Sequence, residues 1–353
     1  MLARGGSAMA TDRTSLSFCA CACVIAACVP AAAAAGPTTT TAPATRPARH
    51  PLGDLPERWR VYKLAWAGGN LERQLLTDRR LVSGLLRGDA SEVGALRDLM
   101  IREYDRLTGL AAVEDYRCGR LASLVAVAWT AVPTGKSLGP VQAARNTQLM
   151  CGEVCRWAER AITHFAAGID EKRWKQHQAF LPGAVAGMMS LIPSRAVWID
   201  QPGRLRDGLQ RLRPSLEKVL AAGGDGQQHG DLIEKFYKTI EPYGRLEADK
   251  QAVRKLLMAF RTAYNDRDDK TFIALWPAGH KATGSLKKRS LASKIPPDLW
   301  KIALWEPLYI VARGDLAGAY VVSQYRSKAG KLHPARLQRF PAKRGKKEGW
   351  KLN

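Results

Sequence analysis

The hydrophobic period changes once along this chain, and that change limits the fold more than any other feature. From Leu71 to Val219 apolar residues recur at helical spacing. Leu71, Leu75, Val82 and Leu86 make one stripe, and Val93, Leu96, Met100, Tyr104 and Leu107 make the next. Asp89 with Glu92 reads as a capping pair, and Gly109 as a helix end. Cys118, Leu121, Val125, Trp129 and Val132 form a third stripe, stopped by Pro133. Pro140 opens a long helix toward Gly168, with proline in the first turn, where its missing N–H costs nothing. The apolar segment from Gly183 to Ile192 is too short to cross a bilayer and reads as a buried helix. Leu205, Leu209, Leu212, Leu216 and Val219 give a last stripe, expected to break near Pro214. Helices joined by short turns pack as a bundle.

Past the loop Gly223–Gly230 the character shifts. Val253, Leu256, Leu257, Phe260 and Tyr264 define one more amphipathic helix, and Phe272, Leu275 and Trp276 a short second one. Leu304 to Ala312 and Ala319 to Tyr325 then carry the aromatic and β-branched residues of strands. Lys328–Lys331 and Arg344–Gly349 suit hairpin connections. The expectation is α+β overall: an all-α bundle over 57–222, a linker with a short helix over 223–245, and an α+β unit over 246–353.

The first 35 residues read as a secretory signal. Arg4 and Arg13 precede an apolar run from Leu16 to Cys28, and small residues Ala31 to Ala35 follow Pro30. A cleaved, soluble product beginning near Gly36 is one outcome. Ile25-Ala26-Ala27-Cys28 also resembles the bacterial lipobox, which implies lipid attachment at Cys28. The Pro/Thr/Ala-rich stretch 36–56 suits a tether. Either way the expected address is outside the cytosol: periplasm, cell envelope or secreted.

Tyr264-Asn265-Asp266-Arg267-Asp268, followed by Phe272 and Leu275, resembles the end of the first helix in the nuclear transport factor 2-like superfamily, SnoaL-like domains included. Glu348-Gly349-Trp350-Lys351-Leu352 is similar to the last strand of many such domains. The resemblance implies a curved antiparallel sheet wrapped around helices as a cone with an apolar pocket. The pocket-lining residues to expect are then Tyr264, Trp276, His280, Trp305, Tyr309, Tyr320 and Gln324.

No catalytic, cofactor or metal set stands out. Thr134-Gly135-Lys136-Ser137 lacks the leading glycine of a phosphate-binding loop and has Thr130 in its place. His164 and His177 have no carboxylate or serine at a spacing that suggests a relay, so buried or surface roles are expected for them. Cys118, Cys151 and Cys155 lie on inner helical stripes, either as small buried hydrophobes or with Cys118 bridged to one of the pair. Asp266, Asp268 and Asp269 read as a solvated turn and helix cap.

The formal net charge is +23, and residues 231–353 hold 26 basic against 12 acidic side chains, a surplus of 14. Lys287, Lys288, Arg289, Lys343, Arg344, Lys346 and Lys347 make the expected anion-binding face. Outside the cytosol its partners are anionic envelope surfaces or polymers. The reading is therefore an exported, non-catalytic binding or accessory protein, with room for a small apolar ligand. A pocket isomerase, dehydratase or hydrolase is the alternative, and a nucleic-acid binder is the alternative for a chain that stays in the cytosol.

Overall fold

The computed structural model describes residues 55–353, apart from 136–137, 171–174, 178–179, 222–225, 279, 281–289 and 346–348 and the side chains of 220 and 226–229. The N-terminal part is a stack of helices: α1 Leu55–Gly68, α2 Leu71–Arg87, α3 Ala90–Thr108, α4 Asp115–Trp129, α5 Pro140–Ala167, α6 Leu181–Leu191, α7 Pro193–Ala196, α8 Pro202–Ala221 and α9 Gly226–Ile240. Asn70 caps α2 by accepting the Arg73 N–H, and Asp89 caps α3 by accepting that of Ser91. Gly109 follows α3 and Gly168 follows α5. At Gly168 glycine is needed for space, because a Cβ there would sit 2.8 Å from the Tyr116 backbone nitrogen.

The expected stripes meet in one core. Leu81, Leu85, Met100, Leu107, Leu121, Val125, Val154, Ile162 and Phe165 are almost fully buried in it. Helix α6 is buried as expected, with Val185, Met188 and Met189 inside. Helix α8 does not break at Pro214 but runs through it. Leu209, Leu216 and Val219 hold α8 against the core on both sides of the exposed proline, and packing outweighs the one hydrogen bond that proline removes. Among the described residues no helix is long and apolar enough to cross a membrane.

Helix α10, Tyr243–Asp266, belongs to both parts of the chain. Tyr243 sits in the helical core with Ile233, Phe236, Tyr237 and Ile240 of α9, so the stretch expected as a linker packs as part of the bundle. Nearly three turns on, Val253, Leu257, Phe260 and Ala263 of the same helix enter a second core. That core is roofed by a four-stranded antiparallel meander in the order β1-β2-β3-β4: β1 Lys301–Arg313, β2 Leu316–Arg326, β3 Arg336–Gly345 and β4 Gly349–Leu352. The sheet curls around α10 and the short helix α11, Asp269–Ala274, so the class is α+β. A two-residue turn at Gly314–Asp315 joins β1 to β2, with Gly314 at φ 59°.

The Tyr264–Asp268 segment is a structural joint. Asn265 acts as a one-residue strand partner for Ile302, accepting its N–H at 2.8 Å and donating to its carbonyl at 3.2 Å, which pairs the start of the β1 edge. Arg267 takes the left-handed conformation, φ 61°, and its guanidinium donates to the Tyr264 and Trp300 carbonyls while lying over the Trp300 ring. Asp268 then caps α11 through the Thr271 N–H.

The convex face of the sheet rests on the bundle. Leu308, Tyr309 and Val322 pack with Ala144 of α5, and Trp198 meets Tyr309 edge-on with ring centroids 5.0 Å apart. Arg145 pairs with Glu306, and Arg254 with Asp200. At the centre of this junction, buried Lys250 of α10 donates to the Val197 and Ile199 carbonyls.

Burial pulls the Lys250 pKa down from 10.5 to about 8, more than the nearby Asp200 pushes it up. The folded pKa lies below the unfolded one, so the unfolded chain binds more protons between those values and stability rises with pH there. Denaturant midpoints should therefore climb between about pH 8 and 10, and Lys250→Met should abolish that climb. The same variant should cost roughly 1–3 kcal/mol at pH 7, since it leaves two buried carbonyls without a donor.

Candidate functional site

Two faces of the sheet and two polar clusters in the bundle hold the groups with chemical potential. On the concave face, Phe260 of α10 is ringed by Trp305, Phe340, Phe272 and Tyr264, with centroids 5.3 to 6.0 Å away. Four of the seven residues expected to line a pocket collect on this side. Trp305 lies in the aromatic core, Tyr264 donates its hydroxyl to the Leu299 carbonyl at 2.5 Å, and Trp276 stacks on His280 at 4.7 Å. The other three do not join them. Tyr309 and Tyr320 stack with each other at 4.5 Å on the convex face, against the bundle, and burial pushes the Tyr309 phenol up to about 12. Gln324 ties the β2–β3 connection through the His333 carbonyl.

The convex face beyond the junction is basic. Strand register sets Arg313 opposite Leu316, Leu316 opposite Lys343, and Lys343 opposite Lys351, one row across all four strands. Arg339 lies two rows back, opposite Tyr320. Of the residues expected on an anion-binding face, Lys343 is here, exposed. Its neighbour Arg344 points to the other side, where it binds Asp249 and lies over Trp350. Lys287, Lys288, Arg289, Lys346 and Lys347 lie outside the described residues, as does Cys28. Sequence reasoning missed Arg313, Arg339 and Lys351. The alternation Arg339-Phe340-Pro341-Ala342-Lys343 carried the signal, but the register had to be known to use it.

Inside the bundle, His177 is fully buried between Trp66 and Tyr116. Gln74 donates its amide to the Ala65 carbonyl, which leaves its oxygen to accept the His177 Nε2–H at 2.7 Å. Asp78 is equally buried and holds the Arg120 guanidinium, with the Trp66 indole as a further donor at 3.3 Å. Burial pushes the Asp78 carboxyl up and Arg120 restrains it. Burial and the Arg120 charge push His177 down from 6.5 to about 4.

His164 departs from expectation. Its Nδ1–H meets Asp115 at 2.6 Å, and its Nε2 meets the Tyr104 hydroxyl at 2.8 Å. A carboxylate, imidazole and hydroxyl in that order is a relay geometry that sequence spacing concealed, because the three come from α4, α5 and α3. The phenol is buried against Trp157 at 5.0 Å, so the chain acts as a clamp on three helix ends. Asp115 stands at the positive N-terminus of α4 and His164 near the negative C-terminus of α5, which favours both. Cys118, Cys151 and Cys155 are buried thiols with no disulfide bridge among them. Burial raises Cys151 to about 11 and Cys155 to about 12, which keeps both protonated and unreactive. Among the described residues no group of His, Cys, Asp and Glu is placed to hold a metal.

In comparisons with known proteins, the chain matches no family, no curated protein and no solved structure.

His177 generates a test of the bundle. Its folded pKa is below its unfolded one, so the unfolded chain takes up the proton first as pH falls, and stability is lost from pH 6.5 down to about 4. Asp78, raised, contributes in the opposite sense near the lower end. The loss attributable to His177 should approach about 3 kcal/mol. Urea melts of the wild type and His177→Gln should diverge in slope across this window and nowhere above pH 7.

Proposed function

We propose that this chain is an exported, cell-envelope protein of a non-catalytic binding or accessory type, which uses the basic convex face of its C-terminal sheet to engage an anionic partner. One observation carries the reading. Arg313 and Lys343 share one row across the strands, Arg339 stands on the same face, and none of these three is ion-paired among the described residues, while Lys351 at the end of the row donates to the Ala274 carbonyl at 2.6 Å. Cations placed side by side without carboxylates repel one another, and an anionic surface relieves that cost. The bundle serves as a rigid mount, since Trp198, Ala144 and Lys250 fix the sheet against it.

The secretory signal and tether supply the address. Intact mass and N-terminal sequence of the protein from fractionated native cells test it: the mature chain should begin at a lipid-modified Cys28 or near Gly36 and sediment with the envelope. A Cys28-independent form should be released by salt, which screens exposed charges within about 10 Å at 0.1 M. An unprocessed chain in the cytosol would refute the reading and turn the charge toward nucleic acid.

A second reading has its own observation. The indole N–H groups of Trp276 and Trp305 are buried on the concave side and meet no acceptor among the described residues. A small, mostly apolar ligand carrying one acceptor would suit them in a nuclear transport factor 2-like cone. Binding rather than turnover fits the nearby acids, because Asp268 is engaged by Thr271 and Asp269 accepts the Leu291 N–H. Hydrophobic fluorescent probes should then bind the wild type and lose affinity in Trp305→Phe.

A further inference from the structure

The tip of the convex face combines charge with an apolar side chain in a way that narrows the partner. Leu316 is 58% exposed, the most exposed large apolar side chain among the described residues. It is flanked directly across the strands by Arg313 on one side and Lys343 on the other. Arg339 extends the cationic ground behind it: a Cβ at residue 318 would lie 3.1 Å from the Arg339 Nε, so Gly318 is what lets that guanidinium lie flat across the sheet. Among the described residues of the two strand ends, Asp315 is the acid present, and it sits in the β1–β2 turn. Helix α5 and Trp198 cover the neighbouring part of the face, and among the described residues this strip is left exposed.

We propose that this strip docks on an anionic lipid bilayer, with Leu316 entering the acyl boundary while Arg313, Arg339 and Lys343 lie against headgroup phosphates. This rests on the basic-face reading above and narrows it. A soluble polyanion would satisfy the cations but gains nothing from an exposed leucine between them. A bilayer rewards both, since it offers phosphate at the surface and hydrocarbon a few ångströms deeper. Burial of a leucine side chain is favourable on the scale of a whole surface charge, so the two contributions are of similar weight.

The test uses the full chain and measures partition onto sedimented vesicles of phosphatidylcholine alone and of phosphatidylcholine with about 30% phosphatidylglycerol, beside binding to soluble poly-glutamate. The apolar N-terminal run is common to every variant, so ratios between variants cancel its contribution. The wild type should prefer the anionic vesicles. Arg313→Glu with Lys343→Glu should weaken that binding roughly 100-fold. Leu316→Ser should weaken it roughly 10-fold on vesicles and leave poly-glutamate binding unchanged. Should the charge reversals unfold the sheet, as a circular-dichroism melt would reveal, Arg313→Gln with Lys343→Gln should still weaken vesicle binding about 10-fold. Leu316→Ser binding vesicles like the wild type would overturn the bilayer inference and leave the basic-face reading standing. Wild-type binding to neither vesicles nor poly-glutamate would overturn both.

Discussion

Helix α10 is the element on which the rest of the structure depends. Its first turn buries Tyr243 in the helical core, its later turns bury Val253, Leu257, Phe260 and Ala263 under the sheet, and Lys250 between them holds the bundle's 197–199 backbone. A continuous helix is stiff over this length, so each core inherits its position from the other. The aromatic contacts on both sides reinforce that. Phe260 packs against Trp305 on the concave face, and Trp198 packs against Tyr309 on the convex one. The curled sheet is thus held from inside and outside, and its β4 edge is tied to the end of α11 by the Leu352 N–H on the Leu275 carbonyl.

That placement explains how the polar groups divide. The buried ones serve the architecture. Asp78 with Arg120 joins α2 to α4, and Asp115, His164 and Tyr104 clamp three helix ends. Such pairs cost desolvation and are retained where partners satisfy them from several elements at once. On the convex face of the sheet, by contrast, Arg313, Arg339 and Lys343 are exposed and have no ion pair among the described residues.

The strand register also divides residues that are neighbours in the chain. Lys343 and Arg344 read as one basic run, yet the first faces outward and the second is tied to Asp249 and Trp350. Tyr309 and Tyr320 read as pocket aromatics, yet they form the seam with the bundle. Alternation along a strand puts successive side chains on opposite faces, and only the pairing tells which face is which.

The sequence by itself determined the helical stripes, the turn from helix to sheet, the caps at Asp89 and Gly109, and the buried character of the Gly183–Ile192 segment. These are local: spacing and caps act within one or two turns and need no distant partner. The surplus of positive charge in the last third was legible too, since it needs only counting. The tertiary structure alone decided that α8 passes through Pro214, that α9 belongs to the bundle, that His164 lies between Asp115 and Tyr104, and that Arg313, Leu316 and Lys343 share a row. Each of these depends on contacts between residues far apart in the chain. Their free energy comes from packing and pairing across elements, which no local pattern of residues encodes.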